Sequence, residues 1–203
     1  MTTSQPNFDL GGLFGRAWKL YTENVAVLLG GMLIIIAINF ALGMIPVLGA
    51  FAGVVITGPL LLGYYFAVLK VLRGQGAAVG DVFSGFQNFL PGFLAYLIIT
   101  IFTVIGTMLC VLPGLFVQMI YCLTYIFIVD RKQDFWPAME SSRQTVMAAM
   151  GSWIVLYLVI IGINIAGALA CGVGLLVSGP ISALILAMAY EQVSGPTIQA
   201  SAT

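Results

Sequence analysis

Six apolar runs, each long enough to cross a bilayer, divide this chain, and they restrict it to a helical membrane architecture. A hydrocarbon core about 30 Å thick is spanned by about 20 residues of α-helix rising 1.5 Å per residue, so runs of about 18 or more suffice. They lie at 24–44, 51–70, 91–110, 114–129, 151–170 and 173–190, the fourth starting as early as Leu112. A soluble fold needs a charged, solvated surface. Only 7% of the 203 residues are charged and 61% are hydrophobic, with a mean hydropathy of +1.11. The usual charged share of a soluble domain is roughly 25%. The predicted fold class is therefore all-α and polytopic.

The connections between runs alternate in kind. The first, third and fifth (45–49, 111–113 and 171–172) are short, uncharged and rich in Gly and Pro, as tight hairpin turns are. All seven basic residues, Arg16, Lys19, Lys70, Arg73, Arg131, Lys132 and Arg143, fall in the other segments. So do the seven acids Asp9, Glu23, Asp81, Asp130, Asp134, Glu140 and Glu191. Six alternating helices place every charge on one side, and the positive-inside rule makes that side cytoplasmic, with both termini there. The expected location is a bacterial cytoplasmic (inner) membrane. Residues 1–10 lack a basic region leading directly into an apolar core, so the first run is expected to be retained rather than cleaved. A second topology stays open, in which the apolar turns remain inside the bilayer as three wedges; the length of the runs favours spanning.

Before each hairpin lies a segment with helical periodicity. Leu10, Leu13, Phe14, Ala17, Trp18 and Tyr21 form one stripe; Val79, Val82, Phe83, Phe86, Phe89 and Leu90 a second; Phe135, Trp136, Met139, Val146 and Met150 a looser third. Such helices are expected to lie in the interface, apolar side down, with Asp81 and Asp134 as N-caps and Trp18, Trp136 and Trp153 at headgroup level. The chain thus reads as one membrane domain of three parallel units, about 8–73, 79–132 and 134–192, followed by a flexible tail at 193–203. Units one and three share local sequence: Ala37-Ile38-Asn39-Phe40-Ala41 matches Gly162-Ile163-Asn164-Ile165-Ala166, and Thr57-Gly58-Pro59 matches Ser178-Gly179-Pro180. Parallel units argue against the inverted-repeat transporter plan.

Several motifs carry a resemblance. Gly15-Arg16-Ala17-Trp18-Lys19-Leu20-Tyr21, Ile56-Thr57-Gly58-Pro59-Leu60-Leu61-Leu62-Gly63, Asp81-Val82-Phe83-Ser84-Gly85-Phe86, Leu112-Pro113-Gly114 and Phe135-Trp136-Pro137-Ala138-Met139-Glu140-Ser141-Ser142-Arg143 resemble a broad group of bacterial six-helix membrane proteins. That group includes the YciC-like proteins and the membrane domain attached to some glycerophosphodiester phosphodiesterases. The resemblance covers nearly the whole chain and implies a fold. It supplies no catalytic or ligand residues, and phosphodiesterase activity is not expected from these residues.

Candidate functional residues are few. Asn39 and Asn164 sit mid-helix with small residues two positions either side; they fasten helices together or line a polar path, the first being favoured. Thr100, Thr103 and Thr107 share a face of the third span and Gln118 lies in the fourth, a polar seam or an ordinary interhelix bond. Gly58-Pro59 and Gly179-Pro180 interrupt the second and sixth spans as kinks or hinges. Cys110 and Cys171 lie near outer turns and could pair in an oxidising compartment. Arg16, Lys19, Arg73, Arg131, Lys132 and Arg143 are placed to meet anionic lipid headgroups.

Composition also excludes functions. With no histidine, no nucleophile–base pattern and no metal-ligand spacing, neither an enzyme nor a metal or other cofactor is expected. No ionisable residue sits within a span, against an ion-coupled transporter. Zero net charge and no basic stripe give no nucleic-acid partner. The expected role is structural or accessory, organising lipid or partner membrane proteins, with a homo-oligomer in view. The alternative is a passive channel or small-solute path lined by Thr, Asn and Gln.

Overall fold

The computed structural model describes residues 8–45, 48–169 and 174–194. Every regular element among them is helical: α1 (Leu10–Glu23), α2 (Val25–Gly43), α3 (Leu48–Leu72), a 3-10 helix (Val79–Asn88), α4 (Phe89–Leu109), α5 (Val111–Ile120), α6 (Thr124–Arg131), α7 (Phe135–Ala148), α8 (Met150–Leu169) and α9 (Leu175–Ser194). Six stretches are long and apolar enough to cross a membrane, α5 and α6 together making the fourth. Cys171 lies outside the described residues, so its pairing with Cys110 is not placed.

The three hairpins are sorted radially. The first helix of each (α2, α4, α8) lies outside, with 17% of its apolar window buried. The second (α3, α5–α6, α9) lies inside, with 56%, 44% and 67% buried. Leu60, Leu62, Ile126, Phe127, Leu184, Ile185 and Tyr190 of the inner helices are almost wholly enclosed. Outer faces such as Leu33, Ile36, Phe40, Ile105 and Leu158 stay exposed, as helices surrounded by lipid require.

Glycines set how closely backbones approach. A Cβ at Gly63 would run into the Val82 carbonyl, and one at Gly85 into the Pro59 carbonyl. A Cβ at Gly58 would meet the Gly92 carbonyl. Small residues allow this intimacy where no hydrophobic force drives helices together in lipid. Pro59 and Pro180 sit inside continuous helices and are buried, so Gly58-Pro59 is a crossing point between α3 and α4.

This crossing revises the second lead-in. Residues 79–88 form a 3-10 helix packed beside α2 and α3, not an α-helix. Val82 is fully buried against Gly31 and Tyr64, whereas Phe83 and Phe86 remain exposed. Asp81 is not the N-cap. It lies in the first turn, where its carboxylate accepts the Ala78 N–H at 2.8 Å and pairs with Lys70 at 2.8 Å.

The other lead-ins are amphipathic in two directions. In α1, capped by Asp9 through the Gly12 N–H (3.1 Å), Leu13, Ala17 and Tyr21 are buried, and the helix packs on α9. Phe14 and Trp18 on the adjoining face stay exposed. In α7 the buried residues are Ala138, Met139, Ser142 and Val146, while Trp136 is exposed. Asp134 holds the N-cap position of α7 without a side-chain bond. Trp153 does not face headgroups: it is completely buried, edge-on to Phe8 at 5.2 Å.

Gly63→Ala is expected to lower stability by about 1–3 kcal/mol or to block folding, because a backbone carbonyl cannot move aside as a side chain can. Gly15→Ala in α1, whose Cβ meets nothing within 4 Å, is the matched neutral control. Thermal unfolding midpoints of the two variants in detergent give the comparison.

Candidate functional site

At the charged end, the C-terminal turns of the three inner helices are tied together. Arg73, just beyond α3, forms an ion pair through Nη1 with Asp130 Oδ1 of α6 at 2.7 Å and donates from Nε to Glu191 Oε1 of α9 at 2.8 Å. The Tyr190 hydroxyl donates to Asp130 Oδ2 at 2.7 Å, and its ring stands edge-on to Phe127 at 5.1 Å. Burial works against the Arg73 charge, but its hydrogen bonds to Asp130 and then Glu191 prevail and raise its pKa. Arg73 therefore does not face headgroups as the sequence suggested. The other five headgroup candidates, Arg16, Lys19, Arg131, Lys132 and Arg143, are exposed. Lys19 lies 3.9 Å from Glu23, Arg131 stacks 5.2 Å from the Phe127 ring, and Lys132 takes a left-handed φ of 51° after α6. Arg143, then Gln144, hold the Glu140 carboxyl down at about 2.

The two mid-helix amides bond within their own hairpins. Asn39 donates to the Ile35 carbonyl at 2.9 Å and accepts from the Thr57 hydroxyl at 2.8 Å. Asn164 donates to the Ile160 carbonyl and to Ser182 Oγ, both at 2.8 Å, and accepts from Ser178 at 3.0 Å. The same arrangement occurs twice, each time locking an outer helix to its inner partner near the Gly-Pro. The small residues flanking each amide point elsewhere: Ala37, Ala41, Gly162 and Ala166 are exposed. Positions two apart lie on nearly opposite sides of a helix, so the amide and the small-residue face cannot serve one contact.

The fourth span is broken, a feature the sequence reading missed. α5 ends at Ile120 and α6 begins at Thr124, with Tyr121-Cys122-Leu123 as turn between them. Ser142 of α7, fully buried, bridges the gap: its Oγ accepts the Leu123 N–H at 3.2 Å and donates to the Ile120 carbonyl at 2.7 Å. Interrupted helices survive at membrane depth where such partners satisfy the freed backbone. In the sequence, Ser142 is one hydroxyl among several on a polar helix, so nothing singled it out. At the outer end, the α4–α5 turn is Cys110 alone, in extended conformation and exposed; Val111-Leu112-Pro113 already belongs to α5.

Beside the break lies a cleft of about 440 Å³. Tyr65 of α3, Tyr96 of α4, Tyr121 and Tyr125 at the break and Tyr157 of α8 line it, with Thr100, Thr103 and Gln118. The Tyr65 and Tyr125 rings are parallel within 7° at 5.8 Å. None of the lining residues is charged. Tyr157 donates to Gln118 Oε1 at 3.2 Å. Thr103 Oγ1 is buried with no hydrogen-bond partner, whereas Thr107 turns from the cleft and bonds the Thr103 carbonyl at 2.7 Å. Tyr157 also borders an apolar groove of about 520 Å³ along α5 and α8, and a recess of about 360 Å³ that reaches Asn164. The cleft thus unites Thr100, Thr103 and Gln118, as the sequence grouped them, but separates them from Asn39 and Thr107. Among the described residues, no group of three or more His, Cys, Asp or Glu could hold a metal ion.

Comparison with known proteins gives distant bacterial relatives. The chain is 27% identical over 183 residues to the uncharacterized proteins Mb2590 of Mycobacterium bovis and MT2637 and Rv2560 of Mycobacterium tuberculosis. The match takes in 90% of this chain and 55% of each relative, so the chain spans about half their length. No protein-family profile and no solved structure matches it.

Removing one partner of a buried ion pair costs about 3–5 kcal/mol, since the other charge is left stranded. Arg73→Leu is accordingly expected to destabilise the fold far more than Lys19→Leu, whose partner is solvent-exposed. Ser142→Ala should cost about 1–3 kcal/mol through the backbone groups it orphans. Denaturant midpoints in mixed micelles rank the three variants.

Proposed function

We propose that this chain is a non-enzymatic integral membrane protein that organises lipid in the leaflet on its charged side. The observation that carries the reading is the second apolar edge on each lead-in. Phe14 and Trp18 of α1, Phe83 and Phe86 of the 3-10 helix, and Trp136 of α7 stay exposed although neighbouring residues are buried in the bundle. Tryptophan favours the headgroup level, and phenylalanine serves on the apolar face of helices that lie in the interface. Fixed to a rigid bundle, they would wedge one leaflet as interfacial helices do. The five exposed cations would meet anionic headgroups beside them, each worth about 1 kcal/mol near a charged surface.

The architecture is read as three parallel repeats, each of a lead-in and a hairpin. The twin Asn–hydroxyl locks and the inner–outer sorting of each hairpin support this, and it accords with the plan of the YciC-like group. The location is a bacterial cytoplasmic membrane with the charged side and both termini inside. Homo-oligomers would form through the exposed small-residue faces at Ala37/Ala41 and Gly162/Ala166.

A second reading, a passive solute path, draws on the recess that joins Gln118 to Asn164. The lipid reading is favoured because both asparagine amides are already bonded within hairpins.

In proteoliposomes, the wild-type chain is expected to loosen lipid packing and shrink vesicle radius relative to Phe14→Ala/Trp18→Ala/Trp136→Ala. Packing and radius equal to those of empty vesicles would sink the lipid reading. Flux of ions or small solutes, abolished by Gln118→Leu or Asn164→Leu, would establish the path instead. In a Cys122→Ser/Cys171→Ser background, a membrane-impermeant maleimide should label Cys110 on intact cells. Labelling only after permeabilisation would replace spanning helices with wedges.

A further inference from the structure

We propose that the tyrosine-lined cleft between α4, the α5–α6 break and α8 binds an uncharged amphipathic lipid whose head presents carbonyl oxygens. This rests on the chain lying in a bilayer, as the lipid-organising reading also requires, but not on any effect on lipid packing. Three features select the ligand. First, the cleft offers hydrogen-bond donors that the protein does not use. Among the described residues, the hydroxyls of Tyr65, Tyr96 and Tyr125 make no hydrogen bond to protein, and Thr103 Oγ1 is buried without one. A hydroxyl left unmatched in an apolar span is costly, and a carbonyl acceptor matches it.

Second, no lysine, arginine or acid lines the cleft, so a phosphate or ammonium head would be stripped of water without a counter-charge. Third, the shape is amphipathic. The head region of about 440 Å³ is walled by the parallel Tyr65 and Tyr125 rings. Past Tyr157 it adjoins the apolar groove of about 520 Å³ edged by Leu112, Phe116 and Leu158, which suits a hydrocarbon tail. Val104 and Gln118 on the rim are exposed at the outer surface, giving a lateral entry from the membrane. The broken helix has its own role in this site. By turning the chain at 121–123 it sets Tyr121 and Tyr125 on the cleft wall, and Ser142 holds the turn from behind.

The test uses the full chain purified in detergent and native mass spectrometry with three probes: decylubiquinone, dioleoylglycerol and dioleoylphosphatidylglycerol. At least one uncharged carbonyl lipid is expected to be retained. A quinone preference would identify a planar head held by stacking; a diacylglycerol preference would identify an ester head. Tyr65→Phe/Tyr125→Phe, which removes two hydroxyls and keeps both rings, should weaken that binding roughly tenfold, as the loss of two hydrogen bonds implies. Thr103→Val should weaken it by a smaller factor. The proposal is overturned if neither uncharged lipid is retained, if the anionic lipid binds as well, or if the double variant binds like wild type. Repeating the vesicle packing measurement on the same double variant separates the two readings, because it should leave lipid packing unchanged.

Discussion

Hydrocarbon tolerates neither an unmatched charge nor an unmatched backbone group, and the buried polar contacts described above answer that constraint. The Asn39 and Asn164 amides bond across their hairpins. Ser142 serves both loose ends of a broken helix. The most buried charges, on Arg73 and Asp130, are held against each other at the end of the bundle, with Glu191 and Tyr190 completing the cluster. One arginine thereby joins the ends of all three inner helices. A pair so enclosed adds little net stability over an apolar filling, but it specifies which ends must meet.

Packing follows from glycine rather than from apolarity. Lipid tails are as apolar as leucine, so apolar area alone gives one helix no reason to choose another. The close crossings at Gly58, Gly63 and Gly85 supply a reason in backbone contact. They also let residues 79–88 pack directly on the α3 backbone. Residues 79–88 take the tighter 3-10 form and lie against the Cβ-less faces of Gly31 and Gly63.

Where close packing lapses, between α4, the break and α8, the cleft opens. It is the place where hydroxyls outnumber their protein partners. The two roles proposed for the lead-ins and the cleft fall on different residues: the exposed aromatics Phe14, Trp18 and Trp136 lie on the lead-ins, and the tyrosines line the cleft. They are therefore separable by mutation.

The sequence by itself determined the number of apolar stretches of spanning length, their hairpin pairing and the gathering of charge into alternate connections. These depend on run length and on the cost of charge in lipid, both local properties. It also brought out Asn39 and Asn164, since an amide in an apolar run stands alone. Only the tertiary structure decided which helix of each hairpin lies inside, that Arg73 turns inward while Arg16 stays out, and that Trp153 is buried. It alone placed the break at 121–123, because Tyr-Cys-Leu has no Gly or Pro to announce a turn. The physical reason is that partnership is a long-range property: Ser142 and Leu123, or Arg73 and Glu191, become neighbours only once the helices are packed.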